Sequence, residues 1–247
     1  MSNLQLFAAV LLPPSCTQIA VFGLTTVGFA AAARLLRGVT TAGAVVGGAV
    51  CFVLMLAAGW GGFAALCTVF VITWAGTRLG YRRKQQLGSA ERRSGRNAGQ
   101  VLANLGVPAL AALLYVWVHD PRFLLAMAAA LSEVAADTLS SEIGTFLGGT
   151  PRLVTTWETV PPGTDGAITW LGTLVALSAA SVVSMVGGAT RLYAFRTGPR
   201  CIAAAILGTL VDSLLGATLE RKGALGNNGV NFLSTLAAAT LAWLIAS

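Results

Sequence analysis

Between Thr17 and Ile245 the chain is a succession of apolar stretches, each about as long as a bilayer is thick, joined by short polar segments. The stretches run approximately Thr17–Leu36, Thr41–Ala58, Phe63–Leu79, Val101–Val118, Arg122–Leu147, Ile168–Val186, Cys201–Leu219 and Phe232–Ile245. A helix that crosses the hydrocarbon core needs about 20 predominantly apolar residues. Only 10% of the residues are charged, against roughly 25% in soluble domains. The pattern predicts an all-α, polytopic transmembrane helix bundle of about seven spans, with re-entrant or half-length helices making up the difference. The two Gly-flanked short stretches, Thr41–Ala58 and Phe63–Leu79, meet in a tight turn at Gly59, Gly61 and Gly62. One integral membrane domain is expected over residues 1–247, with a basic cytoplasmic loop at 78–100 inside it. Leu4–Leu12 is too short to span, and Pro13 and Pro14 end it, so it reads as a half-embedded lead-in. It lacks the basic flank of a cleaved signal.

The net charge of +7 would point to nucleic acid in a soluble protein. Here no nucleic-acid recognition motif accompanies it, and the cations fall in loops, where they set topology. Alternating threading puts Arg34, Arg37, the Arg78–Arg96 cluster, Arg152, Arg221 and Lys222 on one side. Arg122, Arg191, Arg196 and Arg200 fall on the other. The richer side is expected in the cytoplasm, at a prokaryotic inner membrane. This charge rule accounts well for Arg82, Arg83 and Lys84. Cys16, Cys51, Cys67 and Cys201 have no CxxC or Cys/His spacing and read as small hydrophobes.

The exception to apolarity is Leu131–Gly149, LSEVAADTLSSEIGTFLGG, which carries Glu133, Asp137 and Glu142 inside a span. A carboxylate near a bilayer centre costs roughly 2.5–3.5 kcal/mol, and three deep ones on the order of 7–10 kcal/mol. Such groups are paired, hydrated, metal-bound or functional. Glu133 and Asp137, four apart, share a helix face and repel unless a proton or cation lies between them. Asp137 and Glu142, five apart, are about 140° apart around a helix. They face one site only if the helix unwinds, for which Gly144, Gly148 and Gly149 are suited. Two readings stand: ion pairs with arginines of the basic loop, or a divalent metal site. Hard oxygen donors suit Mg²⁺, which keeps waters and bridges to phosphate oxygens.

The same threading brings further polar residues to the basic side. Asp212 sits among apolar residues in LGTLVDSLLGATLE. Gly163, Thr164, Asp165 and Gly166 form a Pro/Gly turn, either capped by its Asp or presenting backbone N–H groups to an anion. Asn227, Asn228 and Asn231 read as turn and cap residues or as contacts to a nucleotide or metal. Arg92, Arg93 and Arg96, with Gln100 and Asn104 on the Arg96 face of the next helix, form the positive counterpart, and arginine binds phosphate through paired donors. No P-loop, GxGxxG or GxSxG occurs.

Five motifs in order, RRSGRNAGQVLANLG, AADTLSSEIG, PRLVTTWETVPPGTDGAITWLGT, LGTLVDSLLGATLE and NNGVNFLST, resemble the integral membrane family that includes plant and cyanobacterial phytyl-phosphate kinase. The likeness covers the chain from about Thr41 onward. It implies a kinase that turns an isoprenoid monophosphate lipid into the diphosphate at the expense of a nucleoside triphosphate, CTP or ATP. By motif, Asp137, Glu142, Asp165, Asp212, Asn227 and Asn228 form its polar core. Glu133 stands where the pattern has a small residue, and Leu139 where it has a tryptophan. The expectation is that Asp137, Glu142 and Asp212 hold Mg²⁺, Arg96 and the GTDG backbone hold phosphates, and the lipid tail lies between spans. The competing class is a membrane carrier of a lipid phosphate or small anion, which also uses intramembrane acids. The chain length of the lipid, the nucleotide and the oligomeric state, monomer or homodimer, stay open.

Overall fold

The computed structural model describes residues 15–246 apart from Ser89, Arg92 and Gly148. The Leu4–Leu12 lead-in and Arg92 therefore lie outside the described residues. The helices are α1 (Cys16–Leu35), α2 (Thr41–Arg78), α3 (Tyr81–Gln86), α4 (Ala98–Val118), α5 (Arg122–Leu147), α6 (Trp170–Ala189), α7 (Gly198–Leu215) and α8 (Asn227–Leu244). Among the described residues six helical segments are long and apolar enough to cross a membrane: α1, α2, α4, α5, α6 and Phe195–Glu220, which contains α7.

At 38 residues, α2 would be roughly 57 Å long if straight, almost twice the ~30 Å of a hydrocarbon core. It does not run straight. Gly59 takes φ 56° and ψ −141°, a combination that side chains make costly. The chain folds back there into two arms, 41–58 and 60–78. The return is visible at the far ends, where Trp74 Nε1 donates to the Leu36 carbonyl at 3.1 Å and Arg78 donates to the same oxygen. The turn expected from the glycine cluster is thus present, and the two arms with the other five segments make seven apolar rods. α8 is the eighth stretch.

α5 is the axis. Every residue from Leu125 to Ala136 is buried, and Ala126, Ala128, Ala129, Ala130, Ala135 and Ala136 let neighbouring backbones come close on all sides. Around it the other helices expose Leu24, Val45, Leu113, Leu174 and Met185, as a lipid-facing surface requires. Polar caps fix where helices begin. Asn97 and Gln100 form a capping box at α4, and Thr40 and Thr169 cap α2 and α6. His119, in the left-handed region, ends α4.

The segment after α5, expected as a loop only, contains a two-stranded antiparallel ribbon. β1 (Arg152–Leu153) pairs with β2 (Ala167–Ile168), and Arg152 also bridges Thr159. The ribbon carries the PPGTDG turn over the bundle end. There Gly166 lies directly against the backbone of Ala217 and next to Gly216. Ala217 belongs to a π-helical turn, Gly216–Glu220, that continues α7. A π turn widens the helix locally and is common at functional sites.

Candidate functional site

The polar side chains of interest reach the basic end of the bundle from several different elements. Arg96 precedes α4 and is not part of it, because Asn97 is the cap and the helix begins at Ala98. The expectation that Arg96, Gln100 and Asn104 share one helical face is corrected accordingly. Arg96 is instead held in a parallel bridge to Val39, with Thr40 N–H donating to its carbonyl at 2.9 Å and its own N–H donating to Gly38 at 3.0 Å. From this anchor its guanidinium crosses to α5 and donates to Thr138 Oγ1 at 3.2 Å, beside the Asp137 carboxylate.

Asp137 on α5 and Asp212 on α7 meet carboxyl to carboxyl. Two carboxyls in contact must share a proton or a cation. Ser234 of α8 lies beside both Asp212 and Glu133, its hydroxyl donating to the Asn231 carbonyl at 3.0 Å. Glu133 lies one turn deeper than Asp137, 2% exposed, with its side chain against Gly208. Asp212 Oδ2 and Glu133 Oε1 are buried without a hydrogen-bond partner among the described residues. The absence of a Cβ at Gly208 makes room for the larger Glu133 on the facing helix.

Glu142 does not join this group. α5 stays helical through Gly144 to Leu147, so the unwinding that would turn Glu142 toward Asp137 does not occur. Its carboxylate pairs with Lys84. The expected triad Asp137, Glu142 and Asp212 is therefore not assembled: Asp137 and Asp212 meet, and Glu142 is held elsewhere on the wall. Lys84 also departs from the expectation of a simple loop charge. It is 1% exposed, and besides Glu142 its ammonium donates to the carbonyls of Gly76 at 3.0 Å and Thr77 at 2.8 Å. It closes the C-terminal end of α2 rather than serving as a loop charge. Nothing in the RRK run distinguished it from Arg82 and Arg83.

A cavity of about 640 Å³ unites these elements. Of the residues singled out in the sequence, Arg96, Gln100, Asn104, Asp137, Glu142, Gly163, Thr164, Asp165, Gly166, Asp212 and Asn227 line it. Asn231, Glu220 and Ser141 line it too. Glu220 lies near both Asp165 and Asp137, a role its position in the loop motif ERKG did not signal. Arg93 is elsewhere, stacked on Tyr81 with its guanidinium carbon 5.8 Å from the ring centroid. Asn228 packs toward Gly99 and is outside the lining.

Several of the polar groups are already engaged. Gln100 accepts from Asn97 N–H and donates to Glu91 at 3.1 Å. Thr164 returns both its N–H, at 3.3 Å, and its hydroxyl, at 2.7 Å, to the Pro161 carbonyl. Asn104 donates to the Gln100 carbonyl at 2.8 Å and accepts from Asn231 at 3.4 Å. These side chains shape the wall.

Among the described lining residues, carboxylates outnumber cations: Glu91, Asp137, Glu142, Asp165, Asp212 and Glu220 face Lys84 and Arg96. That imbalance, the contact of Asp137 with Asp212 and the unpartnered Asp212 oxygen fit a hard divalent cation. No group of three His, Cys, Asp or Glu side chains among the described residues is arranged to hold a metal. Mg²⁺ needs no such cage, since one or two carboxylates with phosphate and water oxygens complete its shell.

A second cavity, about 330 Å³ and mainly apolar, adjoins the first and shares Glu91, Arg96 and Asn104 with it.

The family described as "Integral membrane protein DUF92" matches residues 24–239. An uncharacterised membrane protein of Methanocaldococcus jannaschii is 34% identical over 198 residues, 78% of this chain and 80% of that protein. One of Synechocystis is 33% identical over 195 residues, 77% and 76% of the two chains. Protein VTE6, chloroplastic, of Arabidopsis thaliana is 30% identical over 185 residues, covering 71% of this chain and 56% of its own length. No solved structure matches. With nearly the whole helical bundle matched, the chain belongs to the DUF92 family of integral membrane proteins, the family that includes plant and cyanobacterial phytyl-phosphate kinase and to which its ordered motifs pointed.

Proposed function

We propose that the protein is an isoprenoid-monophosphate kinase. It transfers the γ-phosphoryl group of CTP or ATP to the phosphate of an isoprenyl lipid of the phytyl class, at the cytoplasmic side of a prokaryotic inner membrane. The carrying observation is the junction at Arg96 of an acid-lined polar cavity with an apolar one. A kinase for a lipid phosphate needs that pairing, with water-soluble donor on one side and greasy acceptor on the other. The side with the junction also carries most of the loop arginines, as a cytoplasmic face does.

The acceptor is already an anion, so no strong base is needed. A phosphate oxygen attacks the γ-phosphorus, the bond from that phosphorus to the bridging oxygen breaks, and the nucleoside diphosphate leaves. Catalysis of this transfer is mostly positioning and charge neutralisation. Arg96 holds the acceptor phosphate beside Asp137, and Thr138 orients the guanidinium. Asp137 and Asp212 would hold Mg²⁺, which when bound neutralises the transferring phosphates. The ribbon turn at Asp165 and Gly166 covers the cavity, and Glu220 and Asp165 keep it electronegative enough to retain a cation. A carrier would need a path to the opposite face, and the axis below Asp137 is filled by the buried Leu125–Ala136 segment.

The test is an assay of the purified protein with several isoprenyl monophosphates, CTP or ATP, and Mg²⁺. Nucleotide-dependent diphosphate formation is expected. Its absence with every acceptor, together with substrate flux in liposomes without turnover, would favour the carrier.

A further inference from the structure

The apolar cavity of about 330 Å³ falls at the small end of the ~300–1,000 Å³ typical of ligand pockets. Phe29 of α1, Gly47 from the first arm of α2, Leu66 and Phe70 from the second, and Val134 of α5 form its walls. Among the described residues its rim carries four arginines against one carboxylate, Glu91. Arg37, Arg78, Arg93 and Arg96 all border it, and Arg78 is steadied by Trp74, with its guanidinium carbon 4.7 Å from the ring centroid. An apolar chamber with an arginine rim is complementary to one amphiphile, a single hydrocarbon chain ending in an anionic phosphate. It adjoins the acid-lined cavity, with Arg96 lining both, so a phosphate held at Arg96 would lie beside the donor side.

We infer that this chamber holds the isoprenoid tail of the substrate and that Gly47 sets the tail length it accepts. The inference rests on the kinase reading for the identity of the phosphate, but the chamber and its gauge are testable without turnover. Gly47 is singled out by space. A Cβ built there meets only Val101 Cγ1, at 3.8 Å, an ordinary contact. A larger side chain at this helical position therefore grows into the chamber. Gly48, next in sequence, also borders the chamber, but an added Cβ there would already lie 3.5 Å from Ala30 Cβ on α1, which leaves it less room to grow. Shortening the space by a few methylene-sized groups removes contact with the tail's far end and leaves the phosphate contacts alone.

The experiment compares wild type with Gly47→Ala and Gly47→Leu in detergent, using geranyl, farnesyl and phytyl monophosphate. The Leu variant should raise KM for phytyl monophosphate at least about tenfold, the scale of one or two methylenes in an apolar pocket. Its KM for geranyl monophosphate and for nucleotide should stay at the wild-type value, which also reports correct folding. If the Leu variant does not fold, Gly47→Ala, with room for its methyl, reads the same preference ratio. A parallel arm without nucleotide measures the rise in thermal midpoint on adding each monophosphate. Stabilisation that grows with tail length in wild type and stops growing in the Leu variant supports the chamber even if no phosphoryl transfer is found. Equal losses for all three tails, or an unchanged response to phytyl monophosphate, would overturn it. An absence of turnover in wild type alone sinks only the kinase reading.

Discussion

Lys84 and Glu142 form an ion pair across the basic end of the bundle, with Lys84 1% and Glu142 14% exposed. The ammonium also serves the Gly76 and Thr77 carbonyls, so it ties the short helix α3, the end of α2 and the central helix together. Removing one partner leaves the other desolvated, which costs about 3–5 kcal/mol at fully buried sites. Glu142 borders a polar cavity, which places the expected loss near the low end. Lys84→Met should lower the thermal midpoint in detergent clearly, and the added change Glu142→Gln should recover part of that loss. A double-mutant cycle with no coupling would remove the tie.

The Asp137–Asp212 contact leads to the opposite sign. Two carboxyls in contact oppose each other in the empty protein, so Asp212→Asn, which can donate to Asp137, should leave the thermal midpoint unchanged or raise it. Metal-assisted charge stabilisation is worth several kcal/mol, so the same variant should lose roughly a hundredfold or more in kcat. Added Mg²⁺ should stabilise wild type and not the variant. Asp137→Asn with full turnover and an intact Mg²⁺ response would end the metal assignment.

The contrast between these two carboxylate sets marks how far sequence carries. The apolar runs, the Gly59 turn, and the gathering of Asp137, Asp165, Asp212 and Asn227 at one membrane face follow from periodicity, glycine clustering and alternate threading. Lys84 does not, because in an RRK run every cation looks alike until the path of α3 beneath the end of α2 is known. Nor does the separation of Glu142 from Asp137 follow until α5 is seen to remain helical through Gly144. Glu220 was hidden by the π turn that redirects the end of α7. The ribbon of Arg152–Leu153 and Ala167–Ile168 is too short for alternation to register.

Arg96 is positioned by backbone bridges on one side and Thr138 on the other, and it lines the polar cavity. A hydrogen bond to a charged group contributes about 1.5–3 kcal/mol. Arg96→Ala should therefore lower kcat/KM for the isoprenyl monophosphate by roughly ten- to hundredfold, with little change in thermal midpoint. Arg96→Lys keeps the charge but not the paired donors, and should recover only part of that loss. Full recovery by Lys would mean that only net charge matters at this point.

Gly59 isolates a purely conformational effect. An added Cβ there meets nothing within 4 Å, so substitution introduces no clash, only the strain of holding φ 56° and ψ −141° with a side chain. Such strain costs on the order of 1–3 kcal/mol. Gly59→Ala should lower the thermal midpoint accordingly, while KM for nucleotide and lipid stay unchanged, because the turn lies at the end of the bundle away from both cavities. Since the two arms of α2 must fold back for Leu36 to meet Trp74 and Arg78, a variant that straightened the helix would lose those contacts, and Trp74 fluorescence would report it. An unchanged midpoint would mean that the left-handed turn is not what keeps the arms antiparallel.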